Sequence, residues 1–243
     1  MFAIAYIINT TQPFLIDKMR YEITGNNLQL AKIIMSTGES IDAAIGSVVY
    51  SVGDLNVSKS GGGVINGIKK VLSGKCLETM NYSPKSGIGT IGVGGRLPGM
   101  IMDVNVEGMS WIAQKDAFVA AQPTVDTDQE FQKRLGDAFG PDGLTLIKFS
   151  GKGMVFLFAL GDYIIFPLEK GDTYEVATDK AVAWESSVKY KIEVDKDLKG
   201  SFFGKEGPYV TKFAGPGRIV VQSMSLQKIN EALLPLIQTP EDK

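Results

Sequence analysis

Several residue types that commonly carry enzyme chemistry are scarce or absent in this chain of 243 residues. It has no histidine and a single cysteine, Cys76. Without histidine the chain lacks the usual base for a nucleophilic thiol and the commonest protein metal ligand. A lone cysteine cannot form an internal disulfide. We therefore expect Cys76 to be an inert small hydrophobe, and the sequence assigns no catalytic residue, no cofactor and no metal site.

The chain also lacks an excess of positive charge. It carries 25 Lys and Arg against 27 Asp and Glu, and its isoelectric point is about 5.4. No basic stripe with interleaved aromatic residues is visible, so the electrostatic footprint of a nucleic-acid-binding protein is missing. We expect no nucleic acid partner.

Long hydrophobic runs are missing too. The apolar run 1–8 is far short of the roughly 20 residues that span a bilayer, and it lacks a basic flank and a cleavage site. We expect no transmembrane segment, and peripheral membrane association stays open. Met19 begins a segment that reads like a natural start. Residues 1–18 are therefore either an N-terminal extension or an edge strand over Phe2–Ile8.

What the chain has in abundance is glycine, 28 residues of it, and the glycines recur at fixed intervals. GxG pairs recur every 64 residues, and a second series, which opens similar segments, has spacings of 70 and 63. Such self-similarity indicates a repeat architecture. The pairs are Gly87/Gly89, Gly151/Gly153 and Gly215/Gly217, and the second series is Gly38, Gly108 and Gly171.

The period predicts three small β modules, at residues 19–97, 98–161 and 162–224, followed by a C-terminal helix and tail at 225–243. A module of 63 to 70 residues is marginal alone, so we expect the three to form one compact unit. Short apolar runs between Gly and Pro turns favour sandwiches or a compact barrel.

Four local patterns give sharper expectations. The alternation Val188 to Val194 predicts a half-buried strand with one wet face. The apolar runs Met154–Leu160 and Tyr163–Leu168 predict a hairpin buried on both faces. Ser225 is a helix cap ahead of an apolar stripe formed by Leu226, Ile229, Leu233 and Leu236. Residues Asp128–Phe139 suggest one or two helical turns.

Four segments, MRYEITGNNLQL, GESIDAAIGSVVY, GGGVINGIKKVLSG and GPGRIVVQS, together resemble the mitochondrial biogenesis family named for altered inheritance of mitochondria protein twenty-four. The resemblance covers about residues 19–224. It implies a fold similar to that of the tryptophan RNA-binding attenuation protein: three repeated β-sandwich modules, related to the double-stranded β-helix, around a pseudo-threefold axis. It carries over no catalytic residue. Because the chain has no Arg- and Ser-rich transit peptide, we expect a bacterial cytoplasmic protein.

The glycine-rich segment of the first repeat is the candidate partner-contact loop. It mimics a phosphate loop, but it lacks the GK[ST] ending and a preceding apolar strand. The alternative is a purely structural crossover. Gly87, Gly89 and Gly92 spell GxGxxG, but no amphipathic helix follows, so we decline a dinucleotide site. The candidate contact residues are Gly61, Gly62, Gly63, Gly67, Lys69, Lys70 and Ser73.

Carboxylates give no selected site. Asp126 and Asp128 could meet a hard cation, but alternate acidic residues at a strand end are usually solvated, and other aspartates lie beside turns. Three functions follow. The first is a non-enzymatic scaffold or interaction protein that forms a homo-oligomer and can take a protein partner. The second is a small-molecule binder with a pocket between repeats. The third is an enzyme that uses carboxylates.

Overall fold

In a computed structural model, the structure describes residues 19–60, 77–133, 143–194 and 209–237. The protein is mainly β, with several antiparallel sheets and one short helix, as predicted. The first seven strands are Arg20–Thr24 (β1), Leu30–Ser36 (β2), Ile41–Ala44 (β3), Val48–Val52 (β4), Leu55–Lys59 (β5), Thr79–Pro84 (β6) and Ile88–Gly94 (β7).

The middle of the chain adds six strands and the last part adds six more, each with a 3-10 turn, Lys115–Ala117 or Thr178–Lys180. The middle strands are Gly99–Asn105 (β8), Trp111–Gln114 (β9), Phe118–Ala121 (β10), Val125–Lys133 (β11), Leu144–Gly151 (β12) and Met154–Leu160 (β13). The last elements are Tyr163–Leu168 (β14), Thr173–Ala177 (β15), Ala181–Glu185 (β16), Lys189–Val194 (β17), Tyr209–Ala214 (β18), Gly217–Gln222 (β19) and the helix Leu226–Ile237 (α1).

The strands form four sheets. A four-stranded sheet has the order β1-β2-β7-β4, and a three-stranded sheet has the order β15-β18-β17. Two six-stranded sheets have the orders β5-β6-β3-β10-β13-β8 and β11-β12-β9-β16-β19-β14. We call the four-stranded sheet A, the six-stranded sheet that contains β3 and β10 B, the six-stranded sheet that contains β9 and β16 C, and the three-stranded sheet D.

Three apolar cores lie between successive sheets. One joins residues of sheets A and B, such as Ile33 and Phe156; another joins sheets B and C through Leu157 and Phe149; and the last joins sheets C and D through Trp184 and Phe213. Alternation along β13 explains this layering: all seven of its side chains are buried, and successive residues contribute to opposite cores because strand side chains point alternately to the two faces.

The predicted hairpin of Met154–Leu160 and Tyr163–Leu168 is wrong. β13 pairs with β8 and β10 in sheet B, whereas β14 pairs with β19 at the edge of sheet C. The chain crosses between sheets at Gly161, which has a φ of +67°. β14 is partly exposed, with Ile164 and Ile165 open to solvent. It is an edge strand of sheet C and pairs with one neighbour, β19, among the described strands.

The other local expectations have mixed outcomes. The alternating strand is confirmed as β17 from Val188, which is buried just before it, to Ile192, with Lys189 and Lys191 exposed; at the end of the strand the alternation fails, because Val194 is 54% exposed. The helix is confirmed as α1, and the Lys228 amide donates to the Ser225 hydroxyl at 3.4 Å. The predicted helical turns at Asp128–Phe139 are wrong over residues 128–133, because this stretch pairs with β12 as part of β11; residues 134–139 lie outside the described ones.

Glycine positions fit the turns that the sequence predicts. Gly38, Gly108 and Gly171 all have positive φ, as do Gly87 and Gly151 of the GxG pairs. Each GxG pair lies where the chain crosses from one sheet to another, between β6 and β7, β12 and β13, or β18 and β19. The GxGxxG segment runs directly into β7 and not into a helix, so the declined dinucleotide site has no helix terminus to hold a phosphate.

Candidate functional site

The glycine-rich candidate loop, with Gly61, Gly62, Gly63, Gly67, Lys69, Lys70 and Ser73, lies outside the described residues. So do Cys76 and the N-terminal residues 1–18. The structure describes the two strands that flank the loop, β5 and β6, which pair with each other in sheet B. The role of the loop therefore stays a prediction.

The described residues instead draw attention to strand β4, at one end of sheet A. Its single neighbour among the described strands is β7. All five side chains are at least partly exposed, and Val49 and Val52 each have 61% of their surface open. Apolar β-branched residues on an uncovered edge strand offer unpaired backbone groups and an apolar strip together, which is the usual signature of a strand that pairs with another chain.

Two strands with the same local geometry as β4 are buried. β10 and β16 each pair with a neighbour on both sides, and each has every residue buried. All three strands carry a bulge at the same place, between Val48 and Tyr50 in β4, Phe118 and Ala120 in β10, and Ala181 and Ala183 in β16. β4 thus has the geometry of an interior strand, but it has no second neighbour among the described strands.

The ring of Tyr50 in β4 packs over a glycine of the neighbouring strand. A Cβ atom at Gly92 of β7 would clash with the Tyr50 ring. Glycine at this position therefore lets the ring lie flat against the neighbouring strand, in the way aromatic side chains cover glycines in sheets. The Tyr50 ring therefore packs against its own sheet, while 37% of the residue stays exposed.

A second open edge is β15, at the end of sheet D, where its single described neighbour is β18. Thr173, Tyr174 and Glu175 are exposed there, with 36% of Tyr174 open. Lys212 lies 3.2 Å from Glu175 and 3.3 Å from Glu193. Hydrogen bonds to these two carboxylates raise the pKa of Lys212, and hydrogen bonds from Lys191 and Lys212 lower the pKa of Glu193.

A cavity of about 1070 Å³ lies beneath helix α1. Apolar residues from sheets B and C, including Phe118 and Phe158, line it together with Leu226 and Leu234 of the helix. Two polar side-chain atoms on its wall, the Thr145 hydroxyl oxygen and the amide oxygen Oε1 of Gln227, are buried without a hydrogen-bond partner. The charged residues on the wall are Glu78, Arg96, Lys115, Asp116, Asp179 and Glu231.

Two glutamines on the cavity wall hold it together. Gln114 donates to the carbonyls of Thr178 and Ala181 at 2.9 and 2.8 Å. Gln222 accepts from the Leu160 amide at 2.9 Å and donates to the Asp179 carbonyl at 2.9 Å. Their amide groups are occupied by the backbone, so these residues shape the wall and are not themselves open to a ligand.

An ion pair between a buried carboxylate and a half-exposed guanidinium lies in sheet C. The Glu185 carboxylate is buried and accepts from Arg218 Nε at 2.6 Å and from the Arg218 amide at 3.0 Å. The guanidinium also lies 5.2 Å from the centre of the Trp111 ring. Because every contact ties together β9, β16 and β19, this pair fastens adjacent strands, and we assign it a structural role.

Sheets A and B meet at a tyrosine. The Tyr21 hydroxyl in β1 donates to Asp103 at 2.6 Å, and the ring packs edge-on against Phe156 with centroids 5.1 Å apart. Burial, together with this hydrogen bond and the Asp103 charge, raises the pKa of Tyr21 well above its usual value. Burial and the same carboxylate also raise the pKa of Tyr163.

The candidate cation ligands are Asp126 and Asp128. Both lie on β11, where they pair with Ser150 and Lys148 of β12. Within the ranges that the structure describes, no three acidic or cysteine side chains come together as a metal site. In the same ranges, no helix is long and apolar enough to cross a membrane.

These features define the class: over the described residues, a β protein whose paired strands are antiparallel and whose sheets pack around three cores, with a cavity under helix α1. The chain belongs to the mitochondrial biogenesis AIM24 family, whose model matches residues 21–224, and this confirms the resemblance. Its fold is similar to that of the crystal structure of protein SPYM3_0169 from Streptococcus pyogenes. That similarity has a TM-score of 0.73 at 21% identity and covers 90% of this chain and 100% of the other. No curated protein matches.

The sequence analysis did not identify β4 and β15 as strands at the ends of their sheets. The segments GESIDAAIGSVVY, GMSWIAQKDAFVA and GDTYEVATDKAVA already align β4 with β10 and β16. They do not tell which of the aligned strands lacks a neighbour, because all three carry a similar apolar pattern. A signal was present in composition: the outer positions of β4 hold large β-branched valines, whereas β10 and β16 are rich in alanine.

Proposed function

We propose that this protein is a non-enzymatic scaffold that works through protein contact and self-association, and that it is built from three repeats at 19–97, 98–161 and 162–224. The division is supported by strand pairing. The set β2-β7-β4 has the same pairing as β8-β13-β10 and β14-β19-β16, and β3-β6-β5 has the same pairing as β9-β12-β11 and β15-β18-β17. The attenuation-protein-like relation of the repeats is part of this proposal. A pseudo-threefold axis would bring β15 of the last repeat beside β4 of the first, and these two strands are not paired in the described part of the chain, so we propose three successive repeats and not a closed threefold ring.

The observation that carries the scaffold function is the uncovered β4 edge. Its counterparts β10 and β16 are fully buried, while Val49 and Val52 are exposed on a strand with open backbone groups. Fully covering a valine stabilises a complex by about 1.5 kcal/mol or more, and main-chain pairing adds direction to that gain. A surface of this kind serves association.

The test is charge on the edge. The double substitution Val49→Lys and Val52→Lys should shift the protein to a smaller mass in light scattering coupled to size exclusion, because lysines on an edge strand oppose strand addition. Val57→Lys is the matched control, an exposed valine on β5, and should leave the mass unchanged. A wild-type protein that stays monomeric at high micromolar concentration and captures no copy of itself would contradict the proposal.

A second function, small-molecule binding, is favoured by the cavity under α1. Its volume of about 1070 Å³ is just above the usual range for ligand pockets, roughly 300–1,000 Å³, and its wall combines apolar surface with a few polar groups, as such pockets do. The unsatisfied Thr145 hydroxyl would gain a partner from a ligand with a hydrogen-bonding group on an apolar body.

Native mass spectrometry of protein purified without added ligand tests this second function. We expect a bound mass that is lost on denaturation and absent from Asn230→Trp, a variant that places a large side chain on the cavity side of α1. Leu233→Trp on the exposed side of the helix is the control. An identical mass for folded and denatured protein would remove the ligand-binding candidate.

A further inference from the structure

Two strand pairings inside the chain connect successive proposed repeats, and we call each of these pairings a joint. β3 pairs antiparallel with β10, with Ala43 opposite Ala120. β9 pairs antiparallel with β16, with Ala113 opposite Ala183. In both joints the second strand of one repeat lies beside the third strand of the next. The result is a six-stranded sheet that belongs half to each repeat, sheet B in one case and sheet C in the other.

The first and the last repeat each have one strand of this kind that is not paired in a joint among the described strands. β4 is the third strand of the first repeat and ends sheet A; β15 is the second strand of the last repeat and ends sheet D. These two strands are not paired with each other within the chain. Sheets A and D are therefore two parts of a sheet whose order would match that of sheets B and C, with β1 as an additional edge strand.

We propose that β4 of one copy pairs antiparallel with β15 of a second copy, so that sheets A and D join into one continuous sheet across the interface. This inference rests on the proposed scaffold function and names its partner as another copy of this chain. The joint is heterologous, because two different edges meet, so each added copy leaves a free edge of each kind until a ring closes or a filament grows.

The intrachain joints fix the register. In β10 and β16 the residue after the bulge, Ala120 or Ala183, lies opposite an alanine at the third position of β3 or β9. The corresponding residue of β4 is Tyr50. The corresponding residue of β15 is Val176, because it pairs with Thr211 of β18 just as Ala43 pairs with Met80 and Ala113 with Ile147. Tyr50 therefore lies opposite Val176.

Two further pairs follow from this register: Ser51 opposite Glu175, and Val52 opposite Tyr174. The chemistry of the two edges agrees with them. Val52 and Tyr174 are both exposed, and a β-branched residue opposite an aromatic one is a favourable cross-strand pair. Glu175 is already bonded to Lys212, so its carboxylate would enter the interface with its partner rather than as an unpaired charge.

Cysteine cross-linking between two different chains tests the joint. In a full-length Cys76→Ser background, one chain carries Val52→Cys and another carries Tyr174→Cys. Facing residues in antiparallel strands have the Cα separation that a disulfide needs, about 4.4–6.8 Å. We expect the mixture to form a disulfide-linked dimer of the two chains under mild oxidation, and a single chain with both cysteines to form a ladder of covalent multimers.

The register has its own control. Ser51→Cys mixed with Tyr174→Cys is one residue out of register, and such a slip places the two side chains on opposite faces of the sheet. This pair should give at least tenfold less dimer. Equal yields would overturn the register, and if neither pair links although wild-type protein associates, the β4 to β15 joint is wrong while the scaffold function stands.

Two other outcomes would also overturn the joint. If the double-cysteine chain gives only an internal disulfide in a monomer, then β4 and β15 of one chain close on each other. If linking occurs only after residues 1–18 are removed, then that segment and not a second copy covers β4. In contrast, a wild-type protein that does not associate at all contradicts the scaffold function itself, which light scattering reports separately.

Discussion

Tyr21 links two sheets through one hydrogen bond, and its titration makes that link sensitive to alkaline pH. Its pKa is raised by burial first and then by the bond and charge of Asp103. In the unfolded chain the phenol ionises near its usual pKa of about 10. The folded protein keeps the proton to higher pH. The stabilisation is therefore fully present below about pH 10 and is lost as the pH rises through the folded pKa.

The expected result is that Tyr21→Phe flattens the loss of stability above about pH 10 and lowers stability at pH 7 by about 1 kcal/mol through the lost hydrogen bond. Denaturant melts at pH 7 and at several alkaline values measure both effects. Asp103→Asn keeps the phenol but removes the charge, and it should lower the pKa of Tyr21 in a titration followed by tyrosinate absorbance. Parallel pH profiles for wild type and Tyr21→Phe would contradict this account.

At the scale of single elements, α1 is attached by a small part of its surface. Ile229 packs against the core between sheets A and B, and Ser225 is buried at the helix start, where its backbone carbonyl accepts from the Ile229 amide at 3.1 Å. Leu226, Leu233 and Leu234 are exposed. Of the predicted apolar stripe, Ile229 contacts a core, whereas Leu226 and Leu233 are exposed; the side chain of Leu236 lies outside the described ones.

Replacing Ile229 with Asp should lower the free energy of unfolding by about 2 kcal/mol, because a carboxylate at the core loses hydration and an apolar contact is removed. For a chain of this size that corresponds to a fall in Tm of about 4–8 °C. Leu233→Asp, on the exposed side with 46% of its surface open, should change Tm by less than about 2 °C. Equal effects of the two substitutions, measured by thermal melts, would mean that α1 is not docked through Ile229.

Element prediction from sequence succeeded where a single sheet face decides the pattern. In β17 one face meets the core between sheets C and D and the other meets water, so polar and apolar residues alternate and the strand was predicted. β13 and β14 are both apolar runs separated by two residues, which is also what a buried hairpin looks like. Their separation into two sheets depends on partners far along the chain, β8 and β19, and short-range pattern does not encode those partners.

The same distinction explains the prediction for Asp128–Phe139. Phe131 and Leu135 have helical spacing, but the backbone of residues 128–133 is paired with β12. Strand preference depends strongly on context, and pairing with a neighbouring strand outweighed a weak helical pattern here.

At the scale of the whole molecule, the sequence predicted a mainly β protein of this family. It offered a pocket between repeats as one alternative but gave that pocket no residues, and it did not predict the open edges at β4 and β15. The cavity needs turns from the middle of the chain and a helix from its end to come together, as with Lys115 and Gln227. The open edges depend on which strand of a repeated set stands last. Repetition in sequence conceals that difference, because a terminal repeat resembles an inner one until its neighbours are placed.

The layered arrangement also determines how the chain responds to truncation. A fragment that ends at Gly161 keeps β9 and β12 but loses all of sheet D, and it loses β16 and β19, which contribute Val182 and Val220 to the core between sheets B and C. Ile112 and Leu146, buried in the core between sheets C and D, would then face water. Each uncovered side chain of this size costs about 1.5–3 kcal/mol, and β9 becomes a new open edge.

We therefore expect the fragment to aggregate, whereas the full chain with Val49→Lys and Val52→Lys, which changes only an existing edge, should stay soluble and melt cooperatively. Expression of both, followed by sedimentation and thermal melts, makes the comparison, and a soluble fragment with a cooperative melt would mean that the first two repeats fold without the third.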